Sequence, residues 1–315
     1  MTIVAKFLRR HSVLDGRVMD GMLVYPVLPT LRWKRLERPS LGYVTLAEAL
    51  DSGQCEAREA PSAHVPELVM WNGGPSMVLA LDGDELVGGK QNRCLNSAVL
   101  LPGERETTVP VSCVERRRWH GSANHFSHGH SMSHGLRARS HGHVSAHLRG
   151  RSGHVSNQHD IWDAIQQAQV RHGVQSPTAS MHDVYESGRD RLQRFATAFP
   201  PHAQAVGMVV GIGERVVGAD LFDCVSTAQR YWARLIQSYA QRALDERVTH
   251  TTLSTRRYQA SMFLERAACS EGQTFASPGV GQDFRLAGTD GVSGSALAWE
   301  GRVVHMGLFA KEGQP

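Results

Sequence analysis

The chain has 315 residues, 41% of them hydrophobic and 20% charged, with a formal net charge of +4. That length and balance suit a globular protein with one large core or two small ones, and exclude a fibrous or wholly disordered chain. The positive charge is local, because residues 116–159 hold seven arginines, no lysine and no acid, and removing those seven leaves −3 on the remainder.

In chain order, residues 1–21 read as a loosely held lead-in, with turns at Asp15-Gly16 and Asp20-Gly21. A first strand is expected over 23–25. Thr45-Leu46-Ala47-Glu48 has the capping-box form, in which a threonine hydroxyl and a glutamate carboxylate satisfy each other's backbone amides, and it opens a helix over 46–51. Strands follow over 65–71, 77–81, 85–87, 97–101 and 108–115, separated by glycine- and proline-marked turns. Turns about every ten residues suggest an antiparallel meander folded into a sandwich or open barrel.

Residues 120–158 are low-complexity His, Ser, Gly and Arg with few large apolar side chains. Such a composition buries too little surface to offset its ordering entropy, so a disordered insertion is expected. Helical spacing returns over 160–172 and 180–199, a hairpin over 206–217, and helices over 226–246 and 254–269. Strand signals close the chain over 284–286, 295–299 and 303–309. The expected fold is α+β in a single domain over 1–315: an antiparallel sheet in the N-terminal part, helices in the second half, and closing strands at the C-terminus.

The five cysteines (Cys55, Cys94, Cys113, Cys224, Cys269) are odd in number and show no C-x-x-C pair. That reads as reduced thiols and a cytoplasmic location. No apolar run approaches the roughly 20 residues that span a bilayer, and no membrane partner is expected.

Polar side chains are densest over 83–119. Lys90, Gln91, Asn92 and Arg93 follow Gly88-Gly89, where a backbone can approach a ligand closely. Arg93 is a planar fork suited to phosphate or carboxylate. Glu115 ends a strand and precedes three arginines, so it is the candidate general base, with Arg-paired structural acid as the other reading. Arg118 and Trp119 complete the candidate ligand site. Cys113 alternates inward and reads as an inert thiol.

The histidine-rich stretch contains His128-Gly129-His130 and His141-Gly142-His143, weak candidates for opportunistic Zn²⁺, Ni²⁺ or Cu²⁺. Its arginines offer nucleic acid only unspecific attraction, since aromatic residues scarcely interleave them. Gly207–Gly213 lacks the ending of a phosphate loop and reads as a hairpin, and Asp220 and Asp223 read mainly as caps of the helix that follows. His305 reads as a satisfied strand histidine.

The segments GGKQNRCLN, SCVERRRW, VVGIGERVVGADLFD and WARLIQSYAQRAL resemble those of one family. It is the domain family named for its genomic association with ADP-ribosylglycohydrolases and rhodanese-phosphatases, and the resemblance covers roughly 22–310. It implies a role near NAD, ADP-ribose or nucleotide metabolism, and thus a small-molecule ligand of that kind at 90–93, 115 and 118–119. The histidine-rich stretch departs from the family pattern. The alternatives are a non-catalytic partner or scaffold protein, or metal handling through the histidines.

Overall fold

A computed structural model of the protein describes residues 2–30, 42–60, 66–118, 125–246, 257–288 and 290–311. The described residues group into two compact units. One is drawn from 1–41, 193–276 and 281–315, the other from 42–192 and 277–280. Among the described residues the architecture is mixed α+β, with mostly antiparallel sheets.

The first unit is built on a nine-stranded sheet. Its path runs β1 (His11–Val13), β3 (Met22–Pro29), β13 (Gly207–Ile212), β14 (Arg215–Phe222), β18 (Arg302–Ala310), β17 (Val292–Trp299), β16 (Gln282–Leu286) and β15 (Gly272–Ala276), with β2 (Arg17–Met19) also on β3. Side chains alternate between the faces of a strand. On β14, Ala219 and Leu221 join a core with α1 (Ile3–Leu8) and α8 (Arg257–Cys269). Asp220 and Phe222 turn the other way, to α7 (Val225–Glu246). There the Tyr239 hydroxyl donates to Asp220 Oδ2 at 2.8 Å and the Tyr231 ring stacks on Phe222 at 5.5 Å. A sheet covered on both faces calls for nearly continuous apolar strands, as in MLVYPVL and GMVVGI.

The lead-in is ordered, against the sequence expectation. Thr2 caps α1 by accepting from the Ala5 amide, and α1 buries Val4, Phe7 and Leu8. Asp20 and Gly21, both at positive φ, form the turn expected there, and it joins β2 to β3 as a hairpin.

The second unit holds two sheets. The larger runs β12 (Phe126–Ser131), β8 (Asp84–Gly88), β9 (Arg93–Leu95), β11 (Arg105–Cys113), β6 (Glu67–Asn72) and β5 (Cys55–Glu59). The smaller runs β10 (Val99–Leu101), β7 (Met77–Ala80) and β4 (Tyr43–Thr45), and its β4–β7 pair is parallel. The predicted capping box is present at α2 (Leu46–Asp51), with Thr45 and Glu48 in the reciprocal roles.

The expectation of disorder over 120–158 is corrected for residues 125–158; 119–124 lie outside the described residues. The segment supplies β12 and the sixteen-residue α3 (His134–Arg149), capped by Ser133. The buried face of α3 reads His134, Arg137, His141, Val144 and Leu148, a helical spacing carried mainly by polar residues. Their burial is supported by partners: the Arg137 Nε donates to Asp82 Oδ2 at 3.3 Å. Average hydropathy therefore hid a regular helix. After α4 (Gln158–His172), the helix expected over 180–199 is divided at Gly188 into α5 (Met181–Ser187) and α6 (Arg189–Ala198). Among the described residues no helix is long and apolar enough to cross a membrane.

If α3 is a packed element, truncating Leu148 to alanine should lower stability by about 3 kcal/mol in chemical denaturation, as for a buried leucine elsewhere. An unchanged midpoint would return the segment to disorder.

Candidate functional site

The glycine turn after β8 and the exit of β11 meet in the second unit. Gly88 has φ 139° and Gly89 φ 52°. A Cβ on Gly88 would lie 2.3 Å from the His125 carbonyl, so the turn needs glycine there. The turn delivers Asn92 to the end of β11, where the Asn92 amide donates to Glu115 Oε2 at 3.0 Å. Arg118 ties both sides together. Its Nε donates to Glu115 Oε2 at 2.9 Å, its Nη1 to the Gly89 carbonyl at 2.8 Å, and its Nη2 to Asn92 Oδ1 at 3.0 Å and the Gly88 carbonyl at 3.2 Å. The Gly88 amide in turn donates to Asn92 Oδ1.

Arg93 is almost fully buried. It donates through Nη1 to the Gln91 carbonyl and side-chain oxygens, both at 3.2 Å, and pairs with Glu59 at 3.8 Å, while its Nε has no hydrogen-bond partner. Gln91 Nε2 reaches the Arg116 carbonyl at 3.5 Å. The Lys90 amide donates to Glu59. Gln91, Asn92, Arg93 and Glu115 are all buried, whereas Lys90 and Arg118 are half-buried and Arg116 and Arg117 exposed. Trp119 lies outside the described residues.

The structure thus brings Gln91, Asn92, Arg93, Glu115 and Arg118 into one clasp whose groups mostly satisfy each other. Burial pushes the Glu115 carboxyl up, but hydrogen bonds from Arg118, Thr178 and the Asn92 amide, with the Arg118 charge, outweigh it and hold the group below the usual glutamate range. An acid held ionised in this way is a charge partner for arginine and a weak proton acceptor. Burial pushes the Cys113 thiol up, leaving it protonated and unreactive at neutral pH. All five cysteines are free, and three are buried.

The four histidines named as weak metal candidates do not form one group. His128 faces Asp84 at 3.9 Å, His141 is buried on α3 near the Ser145 hydroxyl, and His143 lies 3.4 Å from Asp160. His130 instead meets two residues that sequence reading passed over. His130, His182 and Glu186 place one ligand atom each within 4.8 Å of one another. The signal available in the sequence was His182 and Glu186 at i and i+4, one face of a helix turn. The partner on β12 is 52 residues away in sequence from His182. In the first unit, His305 Nε2 lies 3.1 Å from Asp220 Oδ1, with both side chains buried, so His305 is a partnered strand histidine and Asp220 is no helix cap.

Glu115 stabilises the fold while ionised and loses that contribution as pH falls through its lowered folded-state value. Replacing it with glutamine should cost about 3 kcal/mol near neutral pH. The gap between parent and variant should shrink below about pH 4.5, the ordinary glutamate value. A gap that is constant down to pH 3 in denaturation curves would show that the charge is not what holds the clasp.

No curated protein and no solved structure matches the chain. A family model does, over residues 10–309, and its description is "ARG and Rhodanese-Phosphatase-superfamily-associated Protein domain". The span takes in both compact units, the clasp and the histidine trio. The chain therefore belongs to the ARG and Rhodanese-Phosphatase-superfamily-associated Protein domain family.

Proposed function

We propose that the second unit binds a small anionic molecule of the nucleotide, NAD or ADP-ribose class at the rim of the clasp. The observation that carries this reading is charge. Lys90, Arg93, Arg116, Arg117 and Arg118 gather around the glycine turn and the β11 exit, where Arg93 pairs with Glu59 and Arg118 with Glu115. Excess positive charge held on a rigid turn favours phosphate oxygens, and arginine does so with directed donors. The family's association in name with ARG proteins fits a ligand of this class.

In this reading the buried residues Gln91, Asn92 and Arg93 shape the turn, Glu115 orients Arg118, and Lys90, Arg117 and the outer edge of Arg118 meet the ligand. In this reading Glu115 orients Arg118 rather than abstracting a proton, because its Oε2 already accepts from Arg118 and the Asn92 amide and its carboxyl is held below the usual range, which makes it a weak base.

One observation favours the other reading, a non-catalytic partner protein. The Arg118 guanidinium already donates to Glu115, Gly88, Gly89 and Asn92. A ligand must then add to these bonds or displace one of them.

Thermal unfolding and calorimetry with ADP-ribose, NAD, AMP and inorganic pyrophosphate decide between the two. A bound probe at 100 times its dissociation constant should add about 2.7 kcal/mol of stability. Lys90→Ala combined with Arg117→Ala should weaken that probe at least tenfold while leaving the unliganded melting temperature nearly unchanged. No saturable response to any of the four at millimolar concentration would leave the partner-protein reading standing instead.

A further inference from the structure

The histidine trio, which stands apart from the anion-binding reading, carries an assignment of its own. His182 and Glu186 project from one face of α5, one turn apart, and His130 meets them from β12. His130 Nε2 lies 2.9 Å from Glu186 Oε1, and His182 Nε2 lies 4.0 Å from the same oxygen. The two imidazole rings are 5.0 Å apart, and Tyr185 stacks on His130 at 4.7 Å. All three candidate ligands are half-buried, so an ion and water can reach them.

Behind the trio stands Glu85 on β8, with no exposed surface. Its Oε2 lies 3.1 Å from His182 Nδ1 and accepts the His130 backbone amide at 3.0 Å. Its Oε1 is buried with no hydrogen-bond partner. A carboxylate buried in this way needs a compensating positive charge close by. Gly129 makes the approach possible, since a Cβ there would sit 2.4 Å from Glu85 Oε2. The Glu85–His182 contact also fixes the tautomer. With Nδ1 donating to the carboxylate, His182 Nε2 is left as a lone pair pointing toward Glu186 and His130, the arrangement in which metal-bound histidines are held.

We propose that His130, His182 and Glu186 form a binding site for a single divalent transition-metal ion of the zinc type, with Glu85 as the residue that orients His182. Two imidazole nitrogens and one carboxylate oxygen are a donor set that suits zinc and disfavours magnesium, which takes oxygen ligands. In a tetrahedral zinc site donor atoms lie about 3.4 Å apart, so side-chain shifts of about an ångström suffice to close the trio on an ion. Three protein ligands leave a fourth position for water or substrate, as in zinc sites that do chemistry rather than brace a fold. The surrounding charges are favourable. Glu85, Glu186 and Asp183 act on His182, against Arg189, which pairs with Glu186 Oε2 from an exposed position and can swing away.

The test uses the full chain stripped of metal with a chelator and titrated with Zn²⁺, Mg²⁺ and Co²⁺. One equivalent of Zn²⁺ should bind with a micromolar or tighter dissociation constant, with no response to Mg²⁺. Bound Co²⁺ should give a visible ligand-field band. His182→Ala and Glu186→Gln should each weaken Zn²⁺ at least 100-fold and abolish the cobalt band. Glu85→Gln should keep the stoichiometry, weaken Zn²⁺ by 10- to 100-fold and shift the band. A His143→Ala, His147→Ala chain, altered only on α3, should bind like the parent. Circular dichroism of each metal-free variant checks folding. Should His182→Ala fail to fold, the partly exposed Glu186→Gln decides alone. Stoichiometric Zn²⁺ binding that survives Glu186→Gln undiminished, or no binding below 100 µM in the parent, overturns the assignment.

Discussion

Strand β8 buries two carboxylates in succession, and the second unit is arranged around answering them. Asp84 and Glu85 have no exposed surface, and successive strand residues face opposite ways, so each needs donors on its own side. Asp84 is met by the Leu81 amide across the turn and by His128. Glu85 draws in the His130 amide and His182. The pairing of β8 with β12 carries a register shift between His128 and Ser131, which is where the strand gives its amide to Glu85. Two acids thus dictate where β12 bends and which face α5 presents.

What the sequence shows and what it hides divide along a physical line. Local chemistry is legible. The capping box at Thr45 and Glu48, the hairpin expected over 206–217 and the long amphipathic α7 all rest on residues within a few positions of one another. Pairings between distant segments are not. Nothing near Val24 announces that β3 lies beside β13, nearly two hundred residues on, or that β4 joins β7 in parallel. The α3 segment misleads for another reason. Its helical period is carried by His134, Arg137 and His141, residues whose burial depends on partners such as Asp82 rather than on their own hydropathy.

The candidate site was half legible for the same reason. The glycine turn and the strand exit announce themselves as dense polar segments, and they do meet through Arg118, Glu115 and Asn92. Composition cannot tell that these groups would satisfy one another, because satisfaction is a matter of geometry. The histidine reading failed in the opposite direction. Counting histidines in one segment favoured pairs two apart, whereas the residues that share space with His130 come from α5.

Both proposals run through the start of α5. Ser180 caps that helix through its hydroxyl, which also accepts from the Asn92 side chain at 3.4 Å. Its neighbour Met181 donates its amide to the Val114 carbonyl, and Ser180 bridges to Glu115. Two residues further on stands His182, and one turn beyond it Glu186. The segment that closes the clasp is therefore the segment that presents two of the three proposed metal donors. An ion bound at the proposed metal site would fix the orientation of α5, and with it Ser180 and its contact with the Asn92 side chain at the proposed anion rim. The two sites are covalently continuous over seven residues, from Ser180 to Glu186, and an energetic coupling between them needs no longer path than that.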